Sequence, residues 1–157
     1  MSFKVKYYLM VRFLLENNEF CKKCAKCCFN TEMILTRSDI TRLESKGYRE
    51  FYRKCYGFYR LTNISGRCVF LSSGNLCLVY EDRPLGCRAY PLVYDEECGV
   101  TLDLECPLTD EVSCEDLFKG IRLLEFLLRE VELTYNYKIN WDLFEKSATK
   151  LLSKCIS

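Results

Sequence analysis

Residues 21–28 read CKKCAKCC, which places four thiols in eight positions of a chain with twelve cysteines and no histidine. Cys21, Cys24 and Cys27 are separated by two residues each, the spacing at which one short loop can turn successive sulfurs toward a single metal ion. Zn2+ takes four such ligands at tetrahedral angles. A [4Fe–4S] cube also takes four cysteines, and a CxxCxxC run completed by a Cys-Pro pair is the bacterial ferredoxin pattern. Cys106–Pro107 is such a pair, far along the chain. Cys28 argues against one simple mononuclear site. Adjacent side chains diverge, so two metals, a bridged cluster, or one ligand beside a spectator thiol would fit better. Lack of histidine excludes Ser–His and Cys–His catalysis and the 2-His-1-carboxylate iron site.

Three more thiols, Cys68, Cys77 and Cys87, follow at intervals of nine and ten residues in CVFLSSGNLCLVYEDRPLGCRAYP. Residues 57–105 read as short β-rich pieces, RCVFL, LCLVY, PLVYD and GVTLDL, with NISG and SSGN as turns. Hairpin-like folding of these pieces would bring the thiols together. Helices are expected on both sides. Residues 3–16 are mainly apolar and are assigned a helix, and EMILT (32–36) a short strand. Thr36 and Asp39 form a capping box opening a helix over 37–46, with Gly47 as its stop. Beyond Pro107, Ser113 and Asp116 form a second box ahead of Leu117, Ile121, Leu124, Leu128 and Val131. Asn140 caps a last helix with the stripe Trp141, Phe144, Ala148, Leu151 and Cys155. The expected fold is α+β: a small irregular cysteine-rich β region around a metal site, flanked by helices and closed by a C-terminal helical pair. The length of 157 residues suits a single domain, with its motif core at 21–107 and a helical part at 108–157.

Bulk charge narrows the partners. Lys plus Arg is 23 and Asp plus Glu is 22, so there is no global attraction to nucleic acid or acidic lipid. No segment reaches the roughly 18 apolar residues of a membrane span. Arg12 interrupts the apolar start, and no small-residue cleavage site follows it. Cys155 stands third from the end, where a prenylation box needs the fourth. These features point to the cytoplasm, where thiols stay reduced, rather than to a secreted disulfide scaffold.

The segment CLVYEDRPLGCRAYP, taken with CKKCAKCC, is similar to the C-x-x-Y-x-x-R-P-x-x-C-R-x-Y-P signature of the CxxCxxCC (YkgJ-type) cysteine-cluster proteins, described as zinc- or iron-chelating domains. The resemblance covers about 21–107 and implies eight metal-binding thiols: Cys21, Cys24, Cys27, Cys28, Cys68, Cys77, Cys87 and Cys106. It implies no particular reaction. Eight thiols suffice for two four-coordinate sites or one polynuclear site, and an all-sulfur shell selects zinc, Cu(I) or iron–sulfur over magnesium or calcium. Lys22, Lys23, Lys26, Arg83 and Arg88 are interleaved with these thiols and could balance their charge. Arg83 and Arg88 are the candidates for contact with a cofactor or anion, against the plainer role of locking the loop. Cys55, Cys98, Cys114 and Cys155 lie outside the pattern and are expected to serve as packing residues, with Cys98 as reserve ligand.

The expected function is therefore chelation of zinc or iron through thiolates, as mononuclear, binuclear or iron–sulfur species. An iron-dependent redox enzyme or electron carrier is the alternative, and a zinc-ribbon-like adaptor the second. The metal ion is the one partner the residues imply. Nucleic acid and membrane are disfavoured.

Overall fold

The capping box at Thr36 forms as its residues dictate. In the computed structural model, which describes residues 19–156, Asp39 N donates to Thr36 Oγ1 and Thr36 N donates to Asp39 Oδ2, both at 3.1 Å. Helix α2 (Arg37–Ser45) follows, and the chain leaves it through Gly47 at φ +94°. The preceding helix α1 (Glu19–Cys24) carries the first thiols. The helix expected over 3–16 lies outside the described residues.

The β region is a set of three two-stranded antiparallel sheets, in keeping with the α+β expectation. The first, β1 (Tyr52–Cys55) with β2 (Phe58–Leu61), has no counterpart in the sequence reading. Its turn is Tyr56-Gly57, both at positive φ, and a tyrosine there conceals the usual hairpin signature. The expected strand at 32–36 is reduced to one bridge, Ile34 to Arg60. It still runs beside β2, because Leu35 N donates to Tyr59 O at 2.8 Å and Leu61 N to Met33 O at 3.0 Å. NISG turns the hairpin of β3 (Asn63–Ile64) and β4 (Arg67–Cys68). The pieces RCVFL and LCLVY otherwise form no strands, and meet at the Leu71–Cys77 bridge and where Leu78 N donates to Phe70 O at 2.8 Å. Cys87 sits on a short helix, α3 (Leu85–Ala89), rather than beside a strand. PLVYD and GVTLDL do pair, as β5 (Leu92–Asp95) and β6 (Gly99–Leu102).

The C-terminal helical pair is α4 (Cys114–Tyr135) and α5 (Trp141–Ser153). The five apolar positions expected to face inward on α4, Leu117, Ile121, Leu124, Leu128 and Val131, are all buried. The first four of these, with Phe144 and Ala148 of α5, cover Leu92 and Val100 of the β5–β6 hairpin. A second core joins Leu35, Leu43, Phe51, Leu61, Phe70 and Val79, and Cys68 is buried in it. Helix α4 spans both: Leu123 packs on Leu85 and Ala89 of α3, and the Tyr135 hydroxyl donates to Leu35 O while accepting from Tyr59 N. Cys114 and Cys155, expected to be packing thiols, instead form a disulfide between the start of α4 and the chain just past α5. Among the described residues no helix is long and apolar enough to cross a membrane.

The contact of α5 with β6 leaves no room at Gly99. Its φ is +80°, and a Cβ there would lie 2.3 Å from Ser147 Oγ and 3.0 Å from Leu143 O. Gly99→Ala should therefore destabilise the fold by roughly 1–3 kcal/mol, read as a lower urea midpoint at unchanged m.

Candidate metal centre

The 3-10 turn Lys26–Cys28 begins after Ala25, which takes a left-handed conformation at φ 50°. Phe29 then bridges Arg67, whose guanidinium lies 4.9 Å from the Phe29 ring centre. The same Arg67 donates to Ser72 O at 2.8 Å and Asn75 Oδ1 at 2.9 Å, so one side chain ties the first thiol loop to the loop between Cys68 and Cys77.

Cys87 is positioned from the other side, through Asp39. This fully buried carboxylate accepts from Thr36 N at 3.1 Å, Thr36 Oγ1 at 3.0 Å, Arg42 Nη2 at 2.9 Å and Leu85 N at 3.0 Å. Arg42 in turn donates to Asp82 O at 3.2 Å and Arg83 O at 3.0 Å. The RPLGC stretch is thereby strapped to α2. Arg88 completes the strap, donating to Arg83 O and Glu81 O, both at 2.8 Å. Its guanidinium is engaged with backbone carbonyls, as the loop-locking role would require. Gly86 permits close approach to Met33, since a Cβ there would fall 2.2 Å from Sδ.

These supports converge on a cavity of about 1050 Å3 whose wall includes Cys27, Cys28, Cys68, Cys77 and Cys87. Arg83 lines it too, with its guanidinium 3.8 Å from the Tyr80 ring centre and Nε donating to Tyr80 O at 2.9 Å. The thiols lie close enough to govern one another's ionisation. A hydrogen bond from Cys28, assisted by the charge of Arg83, overcomes desolvation and draws Cys27 down to about 7. Cys28 is pushed far above the usual thiol range, first by that same hydrogen bond, then by burial and by the charges of Cys27, Cys87 and Cys68. The pair thus gives up one proton readily and holds the other. Burial is the largest influence raising Cys68, Cys77 and Cys87, and Arg83 offsets part of it at Cys77 and Cys87.

The other expected ligands stand differently. Cys24 ends α1, half-buried, and Cys106 is half-buried beside Tyr90; neither belongs to the cavity wall. Cys21 falls on α1, its side chain outside the described ones. Lys26 Nζ reaches Glu105 O at 3.2 Å and links the first thiol loop to the Cys106 stretch. Cys98, the reserve ligand, is exposed at the β5–β6 turn, its amide donating to Asp95 Oδ1 at 2.9 Å. Two cavity residues escaped the sequence reading. Tyr90 donates to Asp103 Oδ2 at 2.9 Å, and both line the wall. Tyr90 was visible in CRAYP; Asp103 had no local signal.

The donor set is chemically suited to zinc or iron: soft sulfurs, no histidine, and an arginine to offset thiolate charge. Among the described residues no group of three or more Cys, Asp or Glu side chains is already arranged to hold an ion. Instead Cys27 and Cys28 hydrogen-bond to each other, and the buried sulfurs favour their neutral form.

Residues 20–115 match the CxxCxxCC family, described as a "putative zinc- or iron-chelating domain". The chain belongs to this family. The match spans the thiol loops, the β region and α3, and stops at the start of α4. No curated protein and no solved structure matches the chain. What the family description carries to the molecule is metal chelation, with the choice between zinc and iron left open.

Two measurements follow from this geometry. Thiolates, not thiols, react with iodoacetamide. In metal-free protein, labelling of Cys27 should reach half its maximal rate near pH 7, while Cys68, Cys77 and Cys87 should still be gaining rate above pH 9. Peptide mass spectrometry across pH 6–10 resolves the order, and uniform labelling would contradict it. Asp39→Ala should cost about 3 kcal/mol, because it removes the buried ion pair with Arg42 and leaves the Leu85 amide without its acceptor. A denaturant titration reads this directly.

Proposed function

We propose that the protein binds zinc or iron through Cys27, Cys28, Cys68, Cys77 and Cys87, with Cys21, Cys24 and Cys106 as the further donors. The supporting observation is that thiols from four separate stretches of chain meet on one cavity wall beside Arg83. Thiolates gathered in that number repel one another, and a bound cation offsets the repulsion. Arg83 then balances the excess negative charge. The ion would also join the CKKCAKCC loop to residues 68–87, so that binding energy contributes to folding.

Five thiols exceed the four that one tetrahedral ion takes. This favours a polynuclear arrangement, either paired zinc ions or an iron–sulfur cluster, over a lone zinc. With iron–sulfur the same site would serve an electron carrier or redox enzyme, and Tyr90 and Asp103 would supply a polar edge.

Anaerobic purification followed by metal and acid-labile sulfide analysis separates these readings. Brown protein with sulfide supports the cluster, and colourless protein with two zinc ions supports the paired site. Protein that folds and stays metal-free after incubation with either ion refutes chelation. Cys27→Ser and Cys87→Ser should each lose most of the metal, and Cys98→Ser should retain it. Equal retention in all three would refute the assignment of ligands.

A further inference from the structure

The described cysteines fall into two populations. Nine are free thiols, concentrated around the cavity, and two form the Cys114–Cys155 bridge. The bridge lies apart from the proposed ligands, since neither of its sulfurs lines the cavity. It closes a loop of 41 residues, tying the first residue of α4 to the chain just beyond α5.

Its two ends differ. Cys114 is exposed and occupies the first position of the 22-residue helix α4, directly after the N-cap Ser113. The capping box uses the Asp116 amide, bonded to Ser113 Oγ at 3.1 Å, and engages the Asp116 carboxylate with the Ser113 hydroxyl at 2.7 Å. Glu115, the other acid of that turn, is paired with Lys119. The positive end of the helix dipole thus stands beside Cys114, and a thiolate there is stabilised. Cys155 is half-buried, packed against the α4–α5 core at the negative end of α5. A thiolate is disfavoured at that end.

We propose that Cys114–Cys155 is an exchangeable disulfide, opened by low-molecular-weight thiols and closed by their disulfides, with Cys114 as the exchanging sulfur. In closure, the Cys114 thiolate attacks an external disulfide RSSR, forming Cys114–S–S–R and releasing RS−. The Cys155 thiol loses its proton to solvent and attacks the Cys114 sulfur, expelling the second RS−. Overall, two protein thiols are oxidised by two electrons and RSSR is reduced to two RSH. Opening is the reverse, again through the mixed disulfide on Cys114. Opening frees the end of α5 from the start of α4, and the apolar packing of α5 on β6 and α4 then holds the helix.

The test uses the full chain in glutathione buffers of stepped ratio, with acid quenching, alkylation and peptide mass spectrometry. Native protein should open and reclose with millimolar glutathione, gaining and losing 2 Da at these two cysteines, and melt roughly 5–10 °C lower when open. With oxidised glutathione at pH 7, Cys114 in Cys155→Ser should form its adduct at least about fivefold faster than Cys155 in Cys114→Ser. Metal content should equal wild type in both variants, which separates this result from the chelation reading. A bridge that opens only in denaturant overturns the proposal, as does equal or reversed reactivity of the two variants. Finding both residues as free thiols after diamide treatment overturns it too.

Discussion

The carboxylate of Asp39 is the constraint on which the site depends. It is fully buried, and it accepts hydrogen bonds from its own capping box, from Arg42 and from the amide of Leu85. A buried charge is tolerable only when its lone pairs are satisfied, so each of these donors is held as firmly as the acid itself. One of them lies 46 residues away and opens the short helix that carries Cys87. A local helix-capping device has thereby become a tertiary clamp.

Around this clamp the molecule assembles its sulfurs from stretches with little secondary structure of their own. Cys68 ends a two-residue strand, Cys77 makes a single bridge, and Cys27 and Cys28 sit in a one-turn 3-10 segment. Such backbone is held mainly by side chains: Arg67 between two loops, Arg42 and Arg88 on carbonyls, Lys26 toward Glu105. Arginine suits this work because one planar group satisfies several acceptors at once. A metal bound among these loops would add a cross-link where hydrogen-bonded structure is thinnest. The C-terminal helices supply the mass of apolar packing that the loops lack, and α4 reaches both cores.

How much of this was legible depends on the range of each interaction. Both capping boxes and the Asn140 cap were readable, because the partners lie three residues apart. The α4 stripe was readable because burial on one helix face imposes its period on the sequence. The β1–β2 hairpin was missed because Tyr56-Gly57 is not a standard turn pair, and α3 because five residues after a proline carry no period. Cys114 and Cys155 resembled packing residues, since the stripe through Phe144 and Ala148 continues to Cys155 without revealing what meets it.

The sequence by itself determined the chemistry available: soft sulfur donors, no imidazole, cations among the thiols, and helices that must bury defined faces. Those are properties of residue type and local spacing. Tertiary structure alone decided which thiols face one another, that Arg83 influences Cys27, Cys77 and Cys87, that Tyr90 meets Asp103, and that Cys114 meets Cys155. Each is a meeting of residues distant in the chain, set by how two cores and a buried carboxylate close the loops between them. Spacing along the chain carries no record of that closure.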